Sequence, residues 1–439
     1  MKEIIPLLIC LEPYLSATSL RQLRHVICAM LCIPKRVTMR GLSRWGEKGG
    51  SYRTIQRLYQ SPINWLQLHW TLLKTHVVTP NKFYLLAGDE VVEAKAGKKT
   101  PGVGRFYSGL AQRVIPSVSF LVLSVIDAEA RQSYPLHIEQ IMPKQQVKDE
   151  TLLKPKRPRG RPKGSKSHAK PKPILSPLLQ LLGSMITALH IQIAYLQIKH
   201  IVLDGNFGNY PATWLVRQTG LHIISKMKWN AALYFPYCGS KPRRGPTARY
   251  GNKLDYKHLP YDARISSRLE GNYQIDTYQL QLYHKDYPDL LNVVVVVKTH
   301  LSTGKRGHIV LFSTDLTLTA VQIVNYYSLR FQIEFNFRDT KQHWGLDDFM
   351  NTSAQAVTNA VNLAFFMVNF SHLMLEPYQQ HEPDFSVLDL KAQFRAQRYL
   401  AETIKMLPKT PEPHLIARIW RRLSCFGSIR TPHSHDFAA

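Results

Sequence analysis

Apolar residues along the first 80 positions recur three and four apart. Leu7, Leu8 and Leu11, then Leu20, Leu23, Val26, Ile27 and Met30, fall on helical stripes. Pro34 and the Gly49-Gly50 pair punctuate this region. After them SYRTIQRLYQ sets Arg53 and Arg57 one helical turn apart on a polar face. A basic helix after a tight turn suits a major groove or a row of phosphates, and a solvated helix face is the plainer alternative. Cys28 and Cys32, with His25 one turn earlier, share another face. A structural zinc site needs ligands from a second element, and none with ligand spacing follows, so a buried helix face is expected.

From Lys82 the period shortens to that of strands. FYLLAGDEVVEA, VIPSVSFLVLSVIDAEA and PLHIEQIM read as three strands, and AGKKTPGVGRFYSG between the first two reads as a loop. A long helix from about Ser176 to Gln197, a buried strand HIVLDG, a helix over Pro211 to Thr219 and a strand LHIISKMK follow. This order predicts a mixed α/β sheet of the ribonuclease H type. The stretch from about Asn230 to Phe312 is strand-rich and reads as a β insertion. The expected division is therefore a helical region over 1–80 whose basic face suits DNA binding, α/β sheet segments over 81–229 and 313–375, the β-rich insertion over 230–312, and a C-terminal helical region over 376–439 suited to oligomerisation.

Charge changes this picture. Lys and Arg number 57 against 30 Asp and Glu, a formal net charge of +27. A polyanion is the natural partner to offset self-repulsion of that size, because Lys and Arg contacts release the counterions condensed on phosphate; a solubility or membrane-surface effect is the plainer alternative. The segment KPKRPRGRPKGSKSHAKPKP, residues 154–173, holds no acid and cannot bury a core. Its centre places Arg157, Arg159 and Arg161, with Lys163 beyond, around Pro158, Gly160 and Pro162. That pattern matches an AT-hook, which lays Arg in a narrow A·T-rich minor groove; a basic linker gripping phosphates without preference is the alternative. No apolar run reaches the roughly 18 residues of a spanning helix. The cysteines form no disulfide framework, which suits a reducing cytoplasm. No P-loop and no GxSxG motif is present, so ATP use and serine hydrolysis have no support.

Phosphodiester chemistry with two metal ions needs carboxylates that converge from separate elements. Asp89 in LLAGDEVV and Asp204 in HIVLDG are charges on otherwise apolar strands, costly there unless paired or metal-bound; a capping or turn Asp at a strand end is the plainer alternative. The segment from Thr319 reads as one helix. On it Tyr327, Arg330 and Lys341 stand seven before, four before and seven after Glu334, within roughly 40° of one stripe. Asp339 points about 140° away and is a poor third ligand. A surface Arg–Glu pair is the alternative reading of the stripe. His343 reads as structural or as a DNA contact, and Asp347 and Asp348 as flanking or capping residues. Trp229 is the only Trp between Trp214 and Glu334, and no motif assigns it a role.

Tyr327, Arg330, Glu334 and Lys341 match the Y-(2)-R-(3)-E-(6)-K signature, and the chain resembles insertion-sequence transposases of the DDE superfamily over about residues 35–370. GKKTPGVGRFYSG, IVLDGNFG and KQHWGLDDF also resemble family text, while the last 60 or so residues carry little of it. The resemblance implies a ribonuclease H-like catalytic domain with Asp89, Asp204 and Glu334 as catalytic and metal-binding acids. It implies two Mg²⁺ ions, with Mn²⁺ able to substitute, and it makes Tyr327, Arg330 and Lys341 DNA contacts. It further implies cleavage at mobile-element ends, often through a hairpin, then strand transfer by the freed 3′-OH. The expected partners are double-stranded DNA at element ends and target, and a second copy in a synaptic complex, with no membrane. The expected setting is the bacterial cytoplasm, at the nucleoid. A structure-specific nuclease on the same fold and an inactive transposase-derived DNA-binding protein are the alternatives.

Overall fold

The computed structural model describes residues 3–46, 49–109, 111–143, 172–240, 245, 247–424 and 426. The basic segment with Arg157, Arg159, Arg161 and Lys163 lies outside the described residues. Five helices open the chain: α1 (Ile4–Ile9), α2 (Ala17–Cys32), α3 (Met39–Trp45), α4 (Tyr52–Gln60) and α5 (Trp65–His76). Strands β1 (Tyr84–Ala94), β2 (Gly104–Ser108), β3 (Arg113–Asp127) and β4 (Gln132–Ile141) follow. Next come α6 (Pro177–Ala188), α7 (His190–Tyr195), β5 (His200–Leu203), α8 (Tyr210–Gln218) and β6 (His222–Met227). Strands β7 (Leu233–Pro236), β8 (Tyr250–Lys253), β9 (Arg264–Glu270), β10 (Tyr273–His284), β11 (Leu291–His300) and β12 (Arg306–Ser313) complete the sheet elements. The remaining helices are α9 (Ala320–Leu329), α10 (Gln332–Trp344), α11 (Ala354–Gln379), α12 (Val387–Met406) and α13 (Pro413–Ser424). This is a mixed α/β chain, and no described helix is long and apolar enough to cross a membrane.

The chain forms two compact units. The first comprises Met1–Gln140, Ile191–Ile198 and Ser328–Ala439, and the second Ile141–His190 and Lys199–Tyr327. In the first unit β3 pairs antiparallel with β1 along its apolar half, Ser117 to Asp127, and with β2 along its start. β4 also pairs with β3. Every residue of β3 from Ser117 onward is buried. Helix α11 supplies much of the same core, with Phe365, Phe366 and Phe370 fully buried. The opening helices start where polar caps satisfy their first N–H groups: Ser16, Ser51 and Asn64 each accept from the backbone N–H three residues on.

The second unit is built on the order β5-β6-β12-β11-β10-β7-β8, with β9 also paired to β10. β5 and β6 are parallel, and β6 to β12 is antiparallel, as are the strands beyond it. The strands after Asn230 thus continue the sheet of β5 and β6. Val293, Val294 and Val295 meet Phe312, Leu311 and Val310 in register, which explains why NVVVVVKTH is apolar without alternation.

Three local expectations change. The Gly- and Lys-rich loop contains β2, a short strand whose Arg105 and Tyr107 are exposed. The helix expected over Ser176 to Gln197 is two helices, separated at Leu189, where the backbone leaves helical geometry. The helix expected from Thr319 is also two helices, with Arg330 and Phe331 between them. There the N–H groups of Phe331, Ile333 and Glu334 bond carbonyls three residues back, which tightens the turn. Tyr327 and Glu334 therefore lie on different helices, and their common stripe does not hold.

Candidate active site

In the first unit, acids of β1 face basic residues at Arg330, just before α10, and on α10 itself. Asp89 sits mid-strand, opposite Val122 of β3. One carboxylate oxygen, Oδ1, accepts from the Glu90 N–H at 2.8 Å. The other is bonded by Nη1 of Arg330. Nη2 of the same guanidinium donates to Glu334 Oε1 at 3.1 Å, from the first turn of α10. Arg330 thus bridges two acids from two elements. Its side chain and that of Asp89 are only 16% and 17% exposed.

Four residues along β1, on the same face as Asp89, Glu93 is buried. Lys341, two turns beyond Glu334, brings Nζ to 2.5 Å from Glu93 Oε1 and to 3.4 Å from the Val92 carbonyl. Burial pushes the Glu93 carboxyl above its ordinary pKa, while Lys341 pulls it back. Strand and helix run in step: four strand residues span ~13 Å and seven helical residues ~10 Å.

The far end of α10 is fixed by two buried lysines. Lys391 donates to the His343 carbonyl at 3.0 Å and lies over the Trp344 ring; burial pushes its pKa down to about 8. Lys95 donates to the Asp347 and Phe349 carbonyls, both at 3.0 Å. Gly345 closes the helix with φ +77°, a left-handed conformation that favours glycine. Asp348 then accepts from the Val37 N–H at 2.7 Å and from Arg36 Nε at 2.9 Å, so it ties the α2–α3 connection to this turn. Asn336 of α10 donates to Ser133 Oγ, and Phe337 packs on Phe365 of α11.

In the second unit Asp204 follows β5. Its Oδ1 accepts from the Asn206 N–H at 3.0 Å and its carbonyl accepts from Ser225 Oγ of β6 at 2.7 Å. The turn that follows lies tight on β6: a Cβ at Gly208 would stand 2.2 Å from the Lys226 carbonyl oxygen. Asp204 is thus a turn-capping residue by its contacts, held rigidly at a strand end. Tyr327 is half-buried on α9. Trp229 is 68% exposed, and its carbonyl accepts from His308. A cavity of about 700 Å³ opens beside the Asp204 turn, lined in part by Asn209, Tyr210, His284 and Tyr287.

Among the remaining sequence candidates, Arg53 and Arg57 are exposed on α4, and buried Ile55, Leu58 and Tyr59 hold its other face. Asn359 of α11 fixes the end of α4 by donating to the Leu58, Tyr59 and Ser61 carbonyls. Cys32 is buried and donates to the Phe394 carbonyl. Asp339 pairs with its neighbour Arg338. His343 is half-buried against Trp344. Among the described residues no group of three or more His, Cys, Asp or Glu is gathered to hold a metal ion.

A family model described as DDE superfamily endonuclease matches residues 10–284, more than half of the chain and both Asp89 and Asp204. The chain belongs to the DDE superfamily endonucleases. No curated protein matches the chain at a significant level. Membership makes this endonuclease a nucleic-acid-cleaving enzyme by family, with DNA as the implied substrate. The match ends before Tyr327, Arg330, Glu334 and Lys341, so it carries the first two acids and not the signature.

Proposed function

We propose that this DDE endonuclease is a DNA transposase with a ribonuclease H-like catalytic core, which cuts DNA at the ends of a mobile element and joins the freed 3′-OH to target DNA. The observation that supports this reading best is the Arg330 bridge between Asp89 and Glu334. An acid from a family-matched strand and the acid of the signature share one cation. Carboxylate oxygens facing a cation are the donor set that a hard divalent ion takes. Asp89, Asp204 and Glu334 are the residues proposed to hold Mg²⁺, or Mn²⁺ in its place. Bound as a pair, such ions supply an activated attacking oxygen and a stabilised leaving oxygen.

The chain's own residues do the rest. Arg330 is poised at the acids and turns to a phosphate when DNA arrives. Lys341 and Tyr327 hold phosphates and backbone beside the cut, which fixes the reacting bond. Arg53 and Arg57 present charge to the duplex, and the basic 154–173 segment adds sequence-independent affinity. A second copy completes a synaptic complex of two element ends, with the C-terminal helices offered for assembly. This reading sets the protein at the bacterial nucleoid.

The test is a gel assay on DNA carrying the sequences that flank the coding region. Mg²⁺-dependent nicks at those ends, followed by joined products, support transposition; cuts without joining mark a nuclease. Glu334→Gln should bind end DNA and lose cleavage by orders of magnitude. Asp339→Asn, on another face of α10, should keep much of its activity. An active Glu334→Gln would show that another acid carries the chemistry.

A further inference from the structure

We infer that Glu93 is a positioning residue that presents Lys341 to the DNA phosphate next to the cut. The inference rests on the reading of Lys341 as a phosphate contact.

A lysine side chain has a flexible four-carbon stem and loses rotamer entropy when fixed. A lysine held in place beforehand binds phosphate with less of that loss. Lys341 is held. Its ammonium lies 2.5 Å from Glu93 Oε1 and 3.4 Å from the Val92 carbonyl, while its side chain stays 35% exposed. One side of the ammonium is pinned to β1 and the stem remains within reach of solvent.

Glu93 is a poor choice for stability alone. It is 5% exposed and pairs across the sheet with Val118, itself fully buried. Replacing a buried ion pair by well-packed apolar residues is often neutral or stabilising. Val91, two residues earlier on the same face, shows that an apolar side chain is accommodated there. An acid at 93 therefore serves something other than packing. Lys341 is its ion-pair partner, with Lys95 and Asp347 contributing to the field around it. Asp89 and Glu93 thus meet the stretch from Arg330 to Lys341 at its two ends.

The test uses the full chain and four variants: Glu93→Leu, Glu93→Gln, Lys341→Ala and the double variant Glu93→Leu/Lys341→Ala. Glu93→Leu leaves Lys341, 35% exposed, to be hydrated in place of its partner, so it should still fold yet nick end DNA with kcat/KM about tenfold lower, a positioning loss. In the Lys341→Ala background the same change should cost nothing more, because the lysine it serves is gone. Glu93→Gln, which keeps an acceptor, should recover part of the activity and covers the case in which Glu93→Leu fails to fold. An equal loss in both backgrounds would make Glu93 merely structural and overturn the inference, as would full activity in Glu93→Leu and Glu93→Gln.

Two further measurements separate this inference from the reading it rests on. Lys341→Ala should lower the salt slope of DNA binding by about one. An unchanged slope overturns the phosphate role, and the inference with it. Reductive methylation of Lys341, followed by mass spectrometry without DNA, should be faster in Glu93→Leu than in wild type. Equal rates would overturn the pin even if Lys341 does contact phosphate.

Discussion

Arg330→Ala removes the guanidinium that Asp89 and Glu334 share, and its cost can be worked from exposure. An exposed ion pair contributes about 0–1 kcal/mol. Losing one partner of a buried pair costs about 3–5 kcal/mol. Arg330 and Asp89 are 16% and 17% exposed, near the buried limit, whereas Glu334 is 43% exposed and belongs to the surface class. A net loss of about 2 kcal/mol follows. In a unit of this size that is roughly 4–8 °C in melting temperature. The variant leaves two carboxylates side by side with the guanidinium gone, so a divalent ion should take its place. An ion at ten times its dissociation constant stabilises the folded state by about 1.4 kcal/mol. Mg²⁺ should therefore restore much of the lost melting temperature. It should raise the wild type less, because there the ion must first displace the guanidinium. Asp89→Asn should gain little. The assay is thermal denaturation of all three proteins in EDTA and in millimolar Mg²⁺. An Arg330→Ala variant that melts like the wild type, or a Mg²⁺ response equal in all three, refutes the reasoning.

Other outcomes follow from the same structure. Gly345→Ala forces φ +77° on a residue with a Cβ, which would stand 2.4 Å from Val37 Cβ; a loss of about 1–3 kcal/mol is expected in urea unfolding, and an unmoved midpoint speaks against the left-handed cap. His69 and His372 are kept neutral chiefly by burial, with pKa values pushed down to about 3 and about 4. The unfolded chain protonates both near pH 6.5, so stability present above that pH should be lost progressively as pH falls toward about 4. Urea midpoints that stay flat from about pH 7 to about pH 5 would contradict it. Arg53→Ala with Arg57→Ala should reduce the salt slope of DNA binding by about two without changing the melting temperature, and an unchanged slope would return α4 to a solvated face. Asn359→Ala removes the amide that bonds three carbonyls at the end of α4 and should weaken DNA binding only if α4 is a contact, which a binding titration beside the double arginine variant decides.

Much of the fold is written in periodicity. The opening helices, β1, β3 and the parallel β5–β6 pair lie where apolar spacing puts them, because their burial is one-sided or complete. β2 was hidden because Gly, Lys and Pro around it give no alternation; its pairing with β3, not its own sequence, makes it a strand. The break at Arg330 and Phe331 has no Gly or Pro to mark it. The local turn overrides a run that looks helical from Thr319 onward. Within the site, the Arg330–Glu334 spacing showed in the sequence because four residues is one helical turn. Glu93 did not, since a lone acid on a strand reads as its solvated face until the helix that covers it is known. Asp204 caps a turn, and that contact is one the sequence also allowed.

The two lysines at the end of α10 bear on how such a gene decays. Lys95 precedes the helix by some 240 residues and Lys391 follows it by nearly 50, yet both hold the turn that carries Gly345 and Asp348. A frameshift between codons 334 and 391 would spare the codons for Asp89, Asp204 and Glu334 and still remove one of the two lysines that anchor the end of α10. An intact triplet of acids in a reading frame is therefore no proof of competence. Copies of this gene should be sorted first by whether the frame runs through Lys391.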